Sequence, residues 1–476
     1  MKPSYEIVVI GGGPGGYVAA LHAAELGKRT ALIEADFLGG TCLNRGCIPS
    51  KTYLKHAEII EQIEKARDWG IETGPLTLSF DKMKKRKNDV IERLRAGIAF
   101  LLKQGKIDVY NGYGFLFPDG VVKVKTAAGE EILQAEKVIV ATGSTPAVPP
   151  IPGLASVKYD TSDTIFDLPA IPQSVLIIGG GVIGVEFATI FASLKAEVTI
   201  VEAADQIVPT EDADAAKLLA RSLKKKGIKL HLGAKVLEVQ EAADRKTVIG
   251  VDAKGNRLTL SAETLLVSTG RRPNVTAVSA VNLEQEGPFI KVNKQMQTSM
   301  PNVYAVGDVI GGWQLAHAAS AEGVVAANNA AGITDQIDYS VMPRCIYTLP
   351  EIASVGLSEE EAKKQGIEVR IEKFDFAGSG KALSAGEPDG FTKVIYEEKY
   401  GEIIGVVMVG SHVTEMISEA SAFMYLEGTI EEAAKMIHPH PTISETFFEA
   451  AVKAVHQLKR KGKPVKQYAN PIEQVF

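Results

Sequence analysis

Tyr5-Glu6-Ile7-Val8-Val9-Ile10-Gly11-Gly12-Gly13-Pro14-Gly15-Gly16 opens this chain with an apolar run that enters a glycine turn. A helix-forming stretch, Tyr-Val-Ala-Ala-Leu-His-Ala-Ala-Glu-Leu, follows over residues 17–26, and then a second apolar run, Thr30-Ala31-Leu32-Ile33-Glu34. The order is strand, G-x-G-x-x-G, helix, strand. Gly11, Gly13 and Gly16 let the backbone turn tightly and leave a helix N-terminus open to a pyrophosphate. Glu34, 18 residues beyond Gly16, is placed to accept hydrogen bonds from a ribose.

The arrangement recurs. Ser174-Val175-Leu176-Ile177-Ile178 leads into Gly179, Gly181 and Gly184, then a helix, then Glu197 to Glu202. Gly11 to Gly179, Gly16 to Gly184 and Glu34 to Glu202 are each displaced by 168 positions. One G-x-G-x-x-G is weak evidence; two in full strand–helix–strand context, each with its acid in register, predict two adenine dinucleotide sites. The Glu202 carboxylate favours a free ribose 2′-hydroxyl and repels a 2′-phosphate. Ala203 and Ala204 follow it and offer no arginine for that phosphate, which favours NAD over NADP.

After the first unit comes Gly39-Gly40-Thr41-Cys42-Leu43-Asn44-Arg45-Gly46-Cys47-Ile48-Pro49-Ser50-Lys51. Positions i and i+5 of a regular helix lie ~8.5 Å apart, whereas a disulfide needs Cα atoms within roughly 4.4–6.8 Å. The segment must be locally distorted if Cys42 and Cys47 bond, and Asn44 and Gly46 tolerate such a turn. Pro49 suits the first position of a helix. That would put Cys47 near a positive helix end with Lys51 close by, two influences that favour a thiolate. Unreactive thiols and half of a zinc site are the bland readings; zinc needs more ligands than this segment holds, so no metal is expected.

The 476 residues suggest two to four domains. A net charge of −6 with scattered basic residues gives no footprint for nucleic acid or for an anionic membrane. The N-terminus lacks the order of a secretory signal. Ser174 to Leu194 is long enough to span a bilayer, but its four glycines and Glu186 fit strand, turn and helix better, so no membrane insertion is expected. With three cysteines, a cytoplasmic, reducing setting follows, where a close pair is more often catalytic than a staple.

At these residues the chain resembles the flavin-dependent disulfide reductases with two dinucleotide-binding domains. The resemblance covers essentially the whole chain. Besides the segments above it rests on Ala141-Thr142-Gly143-Ser144, Thr269-Gly270-Arg271-Arg272-Pro273-Asn274 and Tyr304-Ala305-Val306-Gly307-Asp308. It ends on His438-Pro439-His440-Pro441-Thr442-Ile443-Ser444-Glu445.

The resemblance implies an α/β protein: two Rossmann-like dinucleotide-binding domains plus a C-terminal α+β dimerisation domain. Residues 1–150 would bind FAD, 151–270 NAD, 271–345 would form a central region completing the FAD site, and 346–476 the dimerisation domain. It implies that the first glycine unit holds FAD, with Asp308 on the ribityl and phosphate region and Thr142, Gly143, Gly270 and Ala316 among the cofactor contacts. Cys42 and Cys47 would form a redox-active disulfide. Cys47 would lie nearest the flavin in a charge-transfer pair, and Cys42 would exchange with a substrate dithiol. Lys51 and Glu186 would pair beside the flavin's reactive nitrogen.

His440 would be the general base, oriented by Glu445. An imidazole titrates in the range that thiol exchange requires, and a carboxylate fixes its tautomer. His438 is read as a nearby packing residue, His317 as structural or flavin-facing, and Cys345 as a small half-hidden hydrophobe. Pro439 departs from the family, which usually has a small residue there.

The implied activity is oxidation of protein-bound dihydrolipoamide to lipoamide with reduction of NAD. The chain would act as a homodimer with His440 reaching the partner chain's cysteines, and its partner would be a lipoyl-bearing protein of a multienzyme complex. The alternative is another FAD-dependent disulfide or metal reductase of the same family. Glutathione-type enzymes favour NADP, mercuric reductases carry a further C-terminal cysteine pair that is missing after Cys345, and transhydrogenases lack the pair at Cys42 and Cys47. A purely structural subunit would not need the catalytic set.

Overall fold

A computed structural model describes residues 3–460. Residues 1–2 and 461–476, the latter the tail of the expected dimerisation region, lie outside the described residues. The chain forms two compact units. One runs up to Ala203 and resumes over Gly233–Asp338; the other comprises Ala204–Leu232 and the chain from Tyr339 onward.

In the first unit, β1 (Ser4–Ile10), α1 (Pro14–Glu25) and β2 (Thr30–Glu34) form the first repeat. The redox segment follows as α2 (Gly40–Asn44) and α3 (Cys47–Lys65), then α4 (Phe80–Gln104). The strand Gly129–Val140 is β3. β1 lies between β2 and β3 with parallel register, Ile10 opposite Ile33 and Val140. Residues 7–9 are fully buried, as expected for a parallel strand covered on both faces.

The second repeat is β4 (Ser174–Ile178), α5 (Val182–Ser193) and β5 (Glu197–Val201), with β6 (Thr264–Val267) on the far side of β4. The short strand β7 (Val303–Ala305) returns to pair with β3. It leads to α6 (Ala316–Ala330), which packs on α1. Their contact is built from small residues: a Cβ on Gly323 would stand 2.4 Å from the Gly15 carbonyl. Close approach of these two helices is why alanine and glycine fill both faces.

The second unit is an antiparallel sheet with helices. β8 (Glu351–Gly356), β9 (Val369–Asp375), β10 (Phe391–Glu397) and β11 (Ile403–Gly410) are joined in the order β8–β11–β10–β9. Then come α7 (Val413–Tyr425), α8 (Ile430–Lys435) and α9 (Glu445–Arg460). Phe447, Ala450, Ala451 and Ala454 of α9 are fully buried against Val394, Tyr396 and Val406 of the sheet. Burying a side chain of this kind contributes about 1.5–3 kcal/mol. Sequence reading anticipates β8, β10, β11, α7 and α9 within one or two residues; it misses β9 and α8.

Among the described residues no helix is long and apolar enough to cross a membrane. Ser174 to Leu194 is instead β4, the glycine turn and α5.

Candidate active site

The two glycine turns are near copies in space. Gly13 caps α1 with φ −71° and ψ −176°, and Gly181 caps α5 with φ −70° and ψ −174°. Neither cap donates or accepts a side-chain capping bond, so the first-turn N–H groups remain available to an anion. Gly11 and Gly179 have φ of +107° and +109°, and a Cβ at either would lie 2.2 Å from the Ala141 carbonyl or 2.4 Å from that of Ser268. A Cβ on Gly16 or Gly184 would run into the carbonyl at the start of its own turn, at 1.8 and 2.0 Å.

The middle glycines behave differently. A Cβ on Gly181 meets nothing within 4 Å, and one on Gly13 meets only Gly40 Cα at 3.8 Å. These positions are bare because the space before them is left for a ligand, which is the fit a pyrophosphate requires. The acids are matched as well. Gly12 N donates to Glu34 Oε2 at 2.6 Å, and Gly180 N donates to Glu202 Oε2 at 2.5 Å. Burial pushes the Glu34 carboxyl up, with the Asp36 and Gly12 amides acting against it.

Around the end of β3, Thr142 and Asn274 bond reciprocally: Thr142 Oγ1 donates to the Asn274 carbonyl at 2.7 Å and Asn274 Nδ2 to the Thr142 carbonyl at 3.1 Å. Gly143 and Gly270, at φ +67° and +121°, face open space. Asp308 accepts from the Ser144 hydroxyl, and Arg271 Nε lies 3.5 Å from the same carboxylate. Arg271 also donates to Ser144 Oγ at 2.6 Å and to the Ser144 carbonyl at 2.8 Å. Motif reading quotes Ser144 and Arg271 but gives them no task; two conserved-looking polar residues beside open glycines were the available signal. Ala316 is the first residue of α6, and His317 after it is exposed.

The redox segment is a helix broken in two. α2 ends at Asn44, Arg45 and Gly46 leave helical geometry, and α3 begins at Cys47. Pro49 is therefore the third residue of α3, not the first. Cys47 takes the first position, closer to the positive helix end than expected. Asn44 holds the break: its Nδ2 donates to the Gly40 and Leu38 carbonyls at 2.8 and 3.1 Å, and its Oδ1 accepts from Arg95 at 2.7 Å. The Arg95 guanidinium stacks 3.8 Å over the Phe37 ring.

Both sulfurs are thiols here, and they hydrogen-bond to each other. That bond, with Lys51 helping, lowers Cys47 to about 7 against burial and the Glu186 charge. It raises Cys42, and burial adds to the rise. The shared proton belongs to Cys42 and the negative charge to Cys47. Lys51 Nζ donates to both oxygens of Glu186, at 2.9 Å each, and the Glu186 side chain is 6% exposed.

The second unit holds the other expected pair. His440 Nδ1 lies 2.9 Å from Glu445 Oε1, and Glu445 Oε2 accepts from the Thr442 amide at 2.8 Å. The amide and then His440 hold the Glu445 carboxyl below the usual range. A carboxylate on Nδ1 fixes the tautomer with the basic lone pair on Nε2. His438 is almost fully enclosed, with Nε2 2.6 Å from Glu419 Oε1; Glu419 has no counterpart among the motif residues. Cys345 is half-buried, its sulfur 3.9 Å from the Thr414 carbonyl. Among the described residues no cluster of His, Cys, Asp and Glu could hold a metal.

A catalytic thiol pair beside an enclosed lysine–glutamate pair, with two dinucleotide cradles in the same unit, defines a nucleotide-linked thiol oxidoreductase. The chain belongs to the pyridine nucleotide-disulphide oxidoreductases: residues 5–323 match that family, and residues 342–451 match its dimerisation domain. It is 45% identical to a dihydrolipoyl dehydrogenase of Bacillus subtilis, with 96% of this chain and all of the relative aligned. A dihydrolipoyl dehydrogenase of Geobacillus stearothermophilus is 37% identical over 94% of this chain and 95% of its own. Among solved structures, LpdA from Mycobacterium tuberculosis superposes with a TM-score of 0.86 at 27% identity, covering 95% of this chain and 99% of its own. The HOCl-induced flavoprotein disulfide reductase RclA of Escherichia coli gives 0.84 at 27% identity over 94% and 99%. FAD and NAD are the cofactors that membership implies, and both cradles fit such groups. The dimerisation-domain match supports a homodimer.

Proposed function

We propose that this protein oxidises protein-bound dihydrolipoamide to lipoamide and reduces NAD. The observation that carries the reading is the unequal pair of thiols. In exchange the attacked sulfur stays bonded while the better leaving group departs as thiolate, and leaving improves as pKa falls. Cys47, at about 7, is the leaving group, and Cys42 is the sulfur attacked.

In this reading His440 Nε2 takes a proton from one substrate thiol. The thiolate attacks Cys42 of the Cys42–Cys47 disulfide, and Cys47 leaves as thiolate beside Lys51. The second substrate thiolate then attacks the substrate sulfur of the mixed disulfide. Cys42 departs and takes up the proton from His440. The substrate dithiol becomes a cyclic disulfide, and the enzyme disulfide becomes the dithiol seen here. FAD, when bound, supplies the two-electron acceptor that links this dithiol to NAD. Gly11, Gly13, Gly16, Glu34, Lys51, Thr142, Gly143, Asp308 and Ala316 would hold FAD, with Ser144, Arg271 and Gly270 steadying that end of the site. Gly179, Gly181, Gly184 and Glu202 would hold NAD.

The remaining assignments belong to the same proposal. The division of the chain is 1–150, 151–270, 271–345 and 346–476, and the protein is cytoplasmic. It works as a homodimer in which His440 serves the partner chain's cysteines, and its macromolecular substrate is a lipoyl-bearing protein of a multienzyme complex. A second reading, another disulfide or metal reductase of this family, is favoured by the structural likeness to RclA. Steady-state turnover separates them. Flavin-loaded protein should oxidise dihydrolipoamide with NAD and leave glutathione disulfide with NADPH nearly untouched; negligible turnover of the first pair ends the leading reading.

A further inference from the structure

Two imidazole–carboxylate pairs flank Pro439, and they are built in opposite ways. His440 is 79% exposed and has one ring nitrogen engaged, by Glu445. The His438 side chain is 3% exposed and has both nitrogens engaged: Nδ1 stands 3.1 Å from the Met436 carbonyl and Nε2 2.6 Å from Glu419 Oε1. A carbonyl and a carboxylate both accept, so His438 must turn a proton toward each, and it keeps no lone pair with which to act as a base. Its ring also packs against Phe448 of α9, with centroids 5.5 Å apart.

These contacts tie three elements together. Met436 caps α8, Glu419 lies on α7, and Phe448 lies on α9. The next residues reach His440, whose own ring is too exposed for packing to orient it. On its far side Thr442 Oγ1 donates to the Pro439 carbonyl at 2.9 Å and the Thr442 amide to Glu445. On its near side the anchor is His438. Ile437, at 95% exposure, contributes no packing.

We propose that the His438–Glu419 pair is the positioning device for His440. It fixes the loop so that His440 Nε2 stays presented to a substrate thiol, and it takes no part in proton transfer. The inference rests on the reading of His440 as the base and goes beyond it by naming what holds that base.

The test uses flavin-loaded full-length protein in four variants: His440→Ala, His438→Phe, Glu419→Leu and Glu419→Gln. Each is followed by the single-turnover rate of reduction of the cysteine pair by dihydrolipoamide across pH, and by NADH oxidation with ferricyanide, an acceptor that bypasses the dithiol. His440→Ala should slow the dithiol step by about 10²–10⁴-fold, the usual weight of a positioned base. His438→Phe and Glu419→Leu should slow it on the order of 10²-fold through misplacement, with an altered pH profile, a KM near that of the parent and unchanged ferricyanide turnover. Glu419→Gln keeps an acceptor oxygen in place and should recover most of the rate. If His438→Phe fails to fold, the two Glu419 variants decide. Parent-like rates and pH profiles in His438→Phe and Glu419→Leu beside a crippled His440→Ala overturn the inference alone. A fully active His440→Ala overturns the base assignment and this inference with it.

Discussion

Lys51 Nζ holds both carboxylate oxygens of Glu186 at 2.9 Å, joining the helix that carries Cys47 to the helix that opens the second dinucleotide cradle. The pair sets opposite influences on Cys47: the ammonium lowers its pKa and the carboxylate raises it. Cys47 is therefore protonated and slow below pH about 7 and a thiolate above it. Lys51→Met should move the midpoint of Cys47 alkylation by iodoacetamide upward, and Glu186→Gln should move it downward. Peptide mass spectrometry of pre-reduced protein distinguishes Cys47 from Cys42, which should alkylate slowly throughout. Shifts of the same sign in both variants would refute the assignment.

Mixed dimers test the shared site. Chains carrying Cys47→Ser and chains carrying His440→Ala should each be nearly inactive with dihydrolipoamide. After subunit exchange, each mixed dimer should regain one working site. No recovery despite exchange confirmed by native mass spectrometry would rule out a base supplied by the partner.

The glycines of the second cradle divide into structural and ligand-facing positions. Gly184→Ala forces a Cβ to 2.0 Å from the Gly179 carbonyl, and overpacking of this kind costs about 1–3 kcal/mol. Gly181→Ala meets open space and should leave thermal stability nearly unchanged while raising the KM for NAD. Differential scanning fluorimetry and NAD titration read the two effects separately.

Glu202 should select the nucleotide. Its carboxylate is anchored by the Gly180 amide, and a hydrogen bond to a charged group contributes about 1.5–3 kcal/mol. Glu202→Ala should weaken NAD by roughly 10- to 100-fold, from that range, and narrow the gap to NADP. An unchanged NAD-to-NADP ratio of kcat/KM would count against this role.

Lys393 is 7% exposed and bonds Asp212 at 2.9 Å and Asp214 at 2.6 Å at the start of the helix Ala213–Lys225. Removing one partner of an enclosed ion pair costs about 3–5 kcal/mol, so Lys393→Met should lower denaturant stability at pH 7 by that order. The Lys393 hydrogen bond holds the Asp214 carboxyl low. A depressed carboxyl stabilises the fold above its unfolded pKa, and that contribution disappears as pH falls through the folded value. The variant should therefore lose less stability between neutral and acid pH than the parent. Identical acid slopes in urea melts would contradict this.

Both dinucleotide units were legible in the sequence because each is local: strand, glycines, helix and acid lie within about thirty residues and follow one pattern. The cysteine pair was legible for the same reason. Glu186 needed the family resemblance, since 135 positions separate it from Lys51. Glu419 was invisible, because no local signal joins α7 to His438. β9 was missed because Arg370, Glu372, Lys373 and Asp375 leave no apolar run; it is the sheet edge, paired on one side only, where charge is expected. The helix start at Cys47 escaped notice because Pro49 invited a start two residues later.

Gly13 and Gly181 cap their helices at backbone angles that differ by one or two degrees. A single ancestral module, copied and kept in tandem, accounts for that likeness, and the copies diverge in what was grafted after each acid. Glu34 is followed by the turn that carries Cys42 and Cys47, whereas Ala203 and Ala204 follow Glu202 with no such addition. Thiol chemistry in this lineage is thus a late attachment to an older nucleotide holder.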